Sequence, residues 1–214
     1  MTVQDERDRP IVAVIDDDKD VRDALFDLLQ TVELRAELFA SVREFLNRAD
    51  LSRPACLVLD VRLPGRSGLD FQQDLIKEGV KLPIVFISGH ADVPVSVKAM
   101  KAGAVEFLTK PVRPQELLDA IQLAIARDRS QRESDRIIAE LRERFNALTA
   151  RERDVMVRVV LGYPNKRIAA EFGISEGTVK LHRGQVMRKM HVQSVAELVR
   201  IADNLTPPGQ ASHL

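Results

Sequence analysis

Two apolar runs that each end in acidic residues constrain the fold of this chain more than any other feature. The run at 11–15 is followed directly by the three aspartates at 16–18, and the run at 56–59 is followed by Asp60. A continuous apolar run of this kind is typical of a strand buried on both faces of a parallel sheet. Ligands bind at the carboxyl ends of such strands. The acids therefore predict a small site for a hard divalent cation, with one carboxylate left for chemistry.

Strand and helix patterns alternate through the first 125 residues. We expect strands at 11–15, 35–39, 56–60, 83–88 and 104–109, separated by segments with apolar residues at helical spacing. Gly103 is placed to end one helix, and Pro114 is placed to begin the last one. This alternation predicts a doubly wound α/β domain, with a five-stranded parallel sheet covered by helices on both faces.

Beyond residue 125 the pattern is helical throughout. Residues 127–136 contain no large apolar residue, proline or glycine, and Asp128–Arg132 and Arg129–Glu133 are pairs of opposite charge four residues apart. These features favour a solvated helical linker over a flexible one. An apolar stripe follows, which must be buried against the chain's own domains or a second copy. Its members are Ile137, Ile138, Leu141, Phe145 and Leu148.

A small all-α domain is predicted after the linker. Thr149 and Glu152 have the spacing of a capping box, and Gly173 separates a short helix at 165–172 from a longer one at 175–190. The longer helix has an apolar stripe and a basic opposite face, as expected of a helix that enters the major groove in a helix-turn-helix. A merely solvated basic face is the ordinary alternative. The stripe comprises Val179, Val186 and Met190.

Charge and cysteine content limit the functions that the two halves of the chain can have. Residues 1–125 carry 16 basic and 21 acidic side chains, whereas residues 126–214 carry 16 and 11. The acidic half suits metal or phosphate chemistry, and the basic half suits nucleic acid.

The one cysteine, Cys56, excludes an internal disulfide and is expected in the core. With no apolar leader and no stretch long enough to span a membrane, we expect a soluble cytoplasmic protein without a membrane partner.

The strand ends carry residues with complementary chemistry. Asp17 and Asp60, with Asp16 acting through water, offer the oxygen ligands that Mg²⁺ prefers. A carboxylate beside such an ion can attack a phosphoryl group and form an aspartyl-phosphate. Ser88 offers a hydroxyl, and Lys110 offers an ammonium whose bond to the following proline is a candidate for the cis form. The alternatives are a helix N-cap cluster at 16–18 and an ordinary turn residue at Asp60.

Segments at 14–18, 57–68, 85–90 and 107–111 resemble the receiver domain of two-component response regulators, in the correct order over about residues 10–125. The resemblance implies a flavodoxin-like sheet with strand order 2-1-3-4-5. It also implies that Asp60 is the phosphoacceptor of a site that uses Mg²⁺ or Mn²⁺. The metal ligands it implies are Asp17, Asp60, Asp16 through water, and the backbone carbonyl of Arg62.

The receiver resemblance also assigns two switch positions. Ser88 falls where the family more often has threonine, and Phe107 falls where it often has tyrosine. By the same resemblance, Ser88 and Lys110 assist the chemistry at Asp60. Neither departure removes a group that the phosphoryl transfer requires.

The second half resembles the LuxR-type helix-turn-helix domain, at 148–153, 165–169, 174–175, 178–183 and 187–190. Together with the receiver and the segments at 89–94 and 162–166, it looks closest to the FixJ branch of the response regulators. The implied groove-facing residues are Lys180, Leu181 and Gly184. The candidates for phosphate contact are Lys166, Thr178, His182 and Lys189, and Arg183 and Arg188 complete the expected DNA-binding set.

Gly184 is an unusual residue for the middle of a recognition helix. A glycine there costs about 1 kcal/mol relative to alanine. It either permits close approach to a base or phosphate, or is simply tolerated.

The sequence thus predicts a receiver at 10–125, a helical linker at 126–145 and a LuxR-type DNA-binding domain at 146–206. The expected protein is a phosphorylation-controlled transcriptional regulator that is no enzyme beyond its own phosphorylation and dephosphorylation. Its expected partners are a sensor histidine kinase, promoter DNA and, when phosphorylated, a second copy of the chain. Two alternatives remain: a haloacid-dehalogenase-like phosphatase with its nucleophile on the first strand, and a receiver whose tail binds RNA or protein.

Overall fold

The computed structural model describes residues 9–48, 50, 54–89 and 93–205. The polar N-terminal stretch at 1–8, the tail at 206–214 and the centre of the 89–94 segment lie outside the described residues. The chain divides into two compact units between Arg132 and Glu133.

The first unit is built on a parallel five-stranded sheet in the order β2-β1-β3-β4-β5, as expected. β1, β3 and β4 are buried along their whole length, which explains their continuous apolar sequences. The strands are β1 (Ile11–Ile15), β2 (Arg35–Phe39), β3 (Pro54–Asp60), β4 (Ile84–Ser88) and β5 (Glu106–Thr109). β3 begins two residues earlier than the sequence predicts, and β5 begins two residues later.

Helices cover both faces of this sheet, because successive side chains of each strand point to opposite sides. Leu57 and Phe86 belong to one core, and their strand neighbours Val58 and Ile87 belong to the other. Cys56 is buried in the second core, as predicted. The helices that begin in this unit are α1 (Lys19–Thr31), α2 (Val42–Arg48), α3 (Gly68–Lys77), α4 (Val93–Lys101) and α5 (Pro114–Asn146).

α5 has 33 residues, and the division between the two units falls within it. The apolar stripe on its second half has several environments. Leu148, just beyond the helix, is buried in the core of the second unit, and Phe145 packs against that core. Leu141 is also buried, whereas Ile137 is 45% exposed.

The second unit, as far as Leu205, contains four further helices around one small apolar core. Val179, Val186 and Met190 are all buried in it, as their spacing predicts. The capping box is present, with Glu152 N–H donating to Thr149 and the Glu152 carboxylate accepting from the Thr149 backbone. The helices are α6 (Ala150–Val160), α7 (Asn165–Phe172), α8 (Glu176–Lys189) and α9 (Val195–Leu205).

None of the helices in the described part of the chain combines the length and the apolar character that a membrane span requires.

Candidate functional site

Three carboxylates meet at the carboxyl ends of β1 and β3. Asp16, Asp17 and Asp60 each place one oxygen within 4.8 Å of the others. Asp16 has no exposed surface and Asp60 is only 5% exposed, whereas Asp17 faces solvent. Burying two carboxylates side by side is costly unless hydrogen bonds or cations compensate. The predicted meeting of acids at this edge of the sheet is therefore found, and it requires positive charge.

Lys110 supplies positive charge to the cluster from the end of β5. Its Nζ atom donates to Asp16 Oδ2 at 2.7 Å and to Asp60 Oδ2 at 2.5 Å. The Lys110–Pro111 peptide bond is cis, as anticipated, and the Lys110 backbone N–H donates to the Ser88 carbonyl at 2.7 Å. Lys110 thus links the ends of β1 and β3 through its ammonium, and the ends of β4 and β5 through its backbone.

Burial and hydrogen bonding act in opposite directions on the pKa values of the charged groups at this site. Burial raises the pKa of the Asp16 carboxyl, and the hydrogen bond from Lys110 offsets only part of that rise. Burial alone would lower the pKa of the Lys110 ammonium, but its hydrogen bonds to Asp16 and Asp60 outweigh burial and raise it. Lys110 is therefore held in its charged form between the two acids.

The turn that carries the three consecutive aspartates divides their roles. Asp18 alone is the N-cap of α1, and its side chain accepts from the backbone N–H groups of Asp20 and Val21. Asp16 Oδ1 accepts from the Asp18 N–H at 2.9 Å, which orients that carboxylate toward Lys110. The capping alternative thus holds for one aspartate of the three, and the other two remain available to the cluster.

Two residues at this site were not predicted from the sequence. The Arg22 guanidinium donates to the Asp16 carbonyl at 2.7 Å and so fixes the end of β1 to α1. Gly68 begins α3 so close to the phosphoacceptor candidate that an added Cβ would lie 2.4 Å from the Asp60 carbonyl oxygen. Arg22 is six residues beyond Asp16, and only a structure shows that its side chain reaches back to the strand.

The other predicted receiver residues lie around the same edge. Ser88 ends β4 and is 2% exposed. On the neighbouring strand β3, Asp60 pairs with Ile87, the residue before Ser88. Phe107 is half-buried on β5, with its ring centroid 6.2 Å from that of Phe86. The Arg62 backbone N–H donates to Asp60 Oδ1 at 2.9 Å.

The exposed face of α8 presents the residues predicted to face a DNA groove. Leu181, a large apolar residue, is 61% exposed on the side of α8 that faces away from the core. Lys180 and Gly184 are exposed beside it, and Arg188 is exposed two turns further on. A single exposed leucine is common on protein surfaces, so the distinguishing feature is that Lys180, Leu181 and Gly184 lie together on one exposed side of α8.

Other members of the predicted DNA-binding set make contacts within the second unit. Arg183 Nη1 donates to Asn165 Oδ1 at 2.6 Å, which joins α8 to the start of α7. Lys189 Nζ donates to Glu152 Oε2 at 2.6 Å and to the Ala147 carbonyl at 3.3 Å. Lys166 is exposed at the start of α7, and His182 and Thr178 are partly exposed on α8.

Comparison with known proteins decides the family. Residues 12–122 match the response regulator receiver domain, and residues 146–202 match the bacterial regulatory proteins of the luxR family. Nodulation protein W of Bradyrhizobium diazoefficiens is 48% identical over 197 residues, which cover 92% of this chain and 87% of that protein. The chain is a response regulator of the FixJ and NodW family.

Solved structures of response regulators agree with this assignment. The structure of response regulator StyR is 42% identical, with a TM-score of 0.81, and the match covers 91% of this chain and 98% of that one. The full-length FixJ crystal structure from B. japonicum is 37% identical, with a TM-score of 0.55, and the match covers 92% and 97%.

Membership of this family sets the function class. The response regulator is a receiver-regulated, LuxR-type DNA-binding regulator of transcription. Because the matched families are transcription regulators and not enzymes, the phosphatase alternative is dropped. The cluster of Asp16, Asp17 and Asp60 is typical of the Mg²⁺ site of a receiver. The two domains imply a kinase and DNA as partners.

Proposed function

We propose that Asp60 accepts a phosphoryl group from a sensor histidine kinase, or from a small phosphodonor, and that this controls dimerisation and promoter binding in the cytoplasm. The observation that carries the proposal is the ammonium of Lys110, which is bonded to both buried carboxylates, Asp16 and Asp60. Such an arrangement places a fixed positive charge where a transferred phosphoryl group would need it.

The donor set fits a hard divalent cation. Asp16, Asp17 and Asp60 offer only oxygen atoms, they lie within 4.8 Å of one another, and one of them remains exposed to admit an ion with its waters. We propose that these carboxylates and the Arg62 backbone carbonyl hold Mg²⁺, or Mn²⁺. When bound, the cation supplies charge that offsets the carboxylates and the phosphoryl oxygens.

The remaining chemistry belongs to the side chains of the receiver. An Asp60 carboxylate oxygen attacks phosphorus, and its new bond forms as the bond from phosphorus to the donor's leaving group breaks. Lys110 and the Ser88 hydroxyl then donate to the phosphoryl oxygens. Since Lys110 is bonded through its backbone to Ser88, we propose that both move together and that Phe107 on β5 follows.

At the other end of the chain, we propose that α8 enters the major groove of promoter DNA. Lys180, Leu181 and Gly184 face base edges, and the surrounding side chains position the helix on the phosphates without specifying sequence. The supporting observation is that these three residues are exposed together. The positioning set comprises Lys166, Thr178, His182, Arg183, Arg188 and Lys189.

The decisive experiment measures DNA binding by the full chain with and without acetyl phosphate and Mg²⁺. The probe is the set of duplexes that the wild-type chain selects from a random-sequence pool. We expect acetyl phosphate to strengthen binding and to raise the sedimenting mass in the wild type and in Asp27→Asn, which alters an exposed aspartate on α1. In Asp60→Asn both effects should disappear.

Two results would contradict the proposal. If wild-type binding and mass ignore acetyl phosphate although intact mass shows phosphorylation, regulation through Asp60 is wrong. If single-stranded RNA competes with the duplexes at equal concentration and no duplex sequence is preferred, the alternative of an RNA-binding tail gains support.

A further inference from the structure

The Asp128–Arg132 pair, which the sequence presents as part of a solvated linker, is partly buried. Asp128 is only 7% exposed, and Arg132 Nε donates to its Oδ2 atom at 2.6 Å. A carboxylate is seldom buried unless it is paired and hydrogen-bonded. The Arg132 side chain is itself 48% exposed, so the feature that distinguishes this pair from ordinary surface ion pairs is the buried Asp128 carboxylate.

Arg132 uses its second nitrogen to reach the sheet. Its Nη2 atom donates to the Pro54 carbonyl at 3.1 Å. Pro54 is the first residue of β3, the strand whose last residue is Asp60. We name the set of Asp128, Arg132 and the Pro54 carbonyl the β3 clasp. A guanidinium can serve both acceptors because its nitrogens form a rigid planar fork, which an ammonium lacks.

Asp128 is also close enough to β3 for its charge to act on Cys56. The pKa of the buried Cys56 thiol is raised, first by burial and then by the negative charge of Asp128. Cys56 lies two residues after Pro54 on β3. The clasp therefore sits beside the amino end of the strand that carries the phosphoacceptor candidate.

The ion pairs on the next turn of the same helix are formed between exposed side chains. Arg136 is bonded to Glu133 at 2.7 Å and to Glu140 at 2.8 Å, but all three side chains are between 44% and 62% exposed. Exposed pairs of this kind contribute little to stability. The division between the two compact units falls directly after Arg132, between these two sets of ion pairs. The clasp therefore lies at the end of the first compact unit.

We infer that the β3 clasp fixes the point at which α5 leaves the receiver, and that it couples phosphorylation of Asp60 to DNA binding. Arg132 and Asp128 act here as positioning residues, because neither belongs to the carboxylate cluster. β3 is buried over its full length, so a displacement at Asp60 is passed on by a packed strand and not absorbed by a loop. The inference rests on the proposed function, since it concerns how that signal leaves the receiver.

The test compares four variants of the full chain: Arg132→Gln, Arg132→Lys, Asp128→Asn and, as the matched control, Arg136→Gln. For each, intact mass measures phosphorylation of Asp60 by acetyl phosphate, and the selected duplexes measure the ratio of DNA affinities with and without acetyl phosphate. Amide hydrogen exchange over residues 126–132 reports whether the clasp has opened. Thermal melting confirms that each variant is folded.

We expect Arg132→Gln and Asp128→Asn to be phosphorylated normally but to lose about 2- to 30-fold in the affinity ratio, as mutations between coupled sites do. Arg132→Lys should fall between them and the wild type, because lysine keeps the charge but lacks the separate Nε and Nη2 donors that reach the Asp128 carboxylate and the Pro54 carbonyl. Arg136→Gln should match the wild type in every measurement.

The possible outcomes separate this inference from the proposed function. If the wild type does not respond to acetyl phosphate, the proposed function fails. If the wild type responds and Arg132→Gln responds equally while its helix exchanges faster, the clasp plays no part in coupling. An equal loss in Arg132→Gln and Arg136→Gln would also overturn the inference, since any weakening of the helix would then suffice.

Discussion

The Nζ atom of Lys110 lies 2.5 Å from the Oδ2 atom of Asp60, although fifty residues separate them in the chain. The same nitrogen lies 2.7 Å from Asp16 Oδ2. One cation therefore serves two carboxylates that burial would otherwise penalise. It follows that the ground-state stability of the receiver and the readiness of Asp60 for chemistry depend on the same side chain.

Replacing Lys110 with methionine tests this dependence. Removing one partner of a buried charge pair leaves the other uncompensated and costs about 3 kcal/mol. We expect Lys110→Met to lower the free energy of unfolding of the receiver by about this amount when divalent cations are chelated, as measured by urea denaturation followed by circular dichroism. Lys98→Met, at an exposed position on α4, is the control.

Adding Mg²⁺ extends the same experiment. A ligand present at a hundred times its Kd stabilises the folded state by about 2.7 kcal/mol. Mg²⁺ should therefore raise the melting temperature of the wild type and of Lys98→Met, and Asp17→Asn should reduce this rise. Equal stability of Lys110→Met and Lys98→Met in chelator would show that the Lys110 contacts are energetically unimportant.

Gly68 is predicted to be intolerant of any side chain. Alanine at this position would place its Cβ 2.4 Å from the Asp60 carbonyl oxygen, 3.1 Å from Leu59 Cγ and 3.2 Å from Phe86 Cε1. Such overpacking destabilises the folded state by about 1–3 kcal/mol, because the backbone that carries Asp60 must shift to make room. We expect Gly68→Ala to melt at a lower temperature and to be phosphorylated more slowly by acetyl phosphate. A normal phosphorylation rate in a folded Gly68→Ala would show that Asp60 tolerates the displacement.

Gly184 should behave in the opposite way. An added Cβ there meets nothing within 4 Å, and the residue lies inside α8. Gly184→Ala should therefore stabilise the DNA-binding domain by about 1 kcal/mol, as alanine does in helix interiors. The single tyrosine of the chain, Tyr163, lies in this domain, and no tryptophan is present, so its fluorescence follows the unfolding of this domain alone. Unchanged or lower stability would contradict the expectation.

The affinity of Gly184→Ala for the selected duplexes then decides between the two interpretations of this glycine. A loss of affinity in the more stable variant would show that DNA approaches the helix closely at residue 184. Retained affinity would show that the glycine is merely tolerated.

The sequence predicts those parts of the fold that depend on local pattern. The five strands, the capping box at Thr149 and Glu152, and the buried stripe of α8 all follow from local sequence pattern. The meeting of Asp16, Asp60 and Lys110 could be anticipated because the carboxyl ends of parallel strands share one edge.

Contacts that depend on how far a side chain reaches across the fold could not be predicted. Arg22 bonds to the carbonyl of Asp16, directly after β1, and Arg132 bonds to that of Pro54 on β3, yet their sequence neighbours look like those of any exposed arginine. Gln72 is 3% exposed on α3, where its amide donates to the carbonyls of Ala99, within α4, and of Ala102, just beyond it. Each of these contacts is set by the packing of distant elements, which hydrophobic periodicity does not report.

The last prediction concerns Glu152 and the response of the DNA-binding domain to acid. The hydrogen bond from Lys189 and then that from the Thr149 backbone hold the pKa of the Glu152 carboxyl below its ordinary value of 4.5. A group whose pKa is lowered by folding adds stability above its unfolded pKa and loses it as the pH falls through the folded pKa. The domain should therefore lose stability below about pH 4.5.

Glu152→Gln should remove this dependence because glutamine does not titrate. At pH 7 we expect the variant to be less stable by about 1 kcal/mol, since it loses the ion pair with Lys189 and part of the capping box. Between pH 6 and pH 3 its stability should fall less than that of the wild type, as followed by Tyr163 fluorescence in urea. Glu143→Gln, at an exposed position on α5, controls for the loss of one carboxylate. If Glu152→Gln and the wild type lose stability in parallel over that range, the acid response arises from other carboxylates, and the contact between α6 and α8 through Lys189 is not what keeps Glu152 ionised.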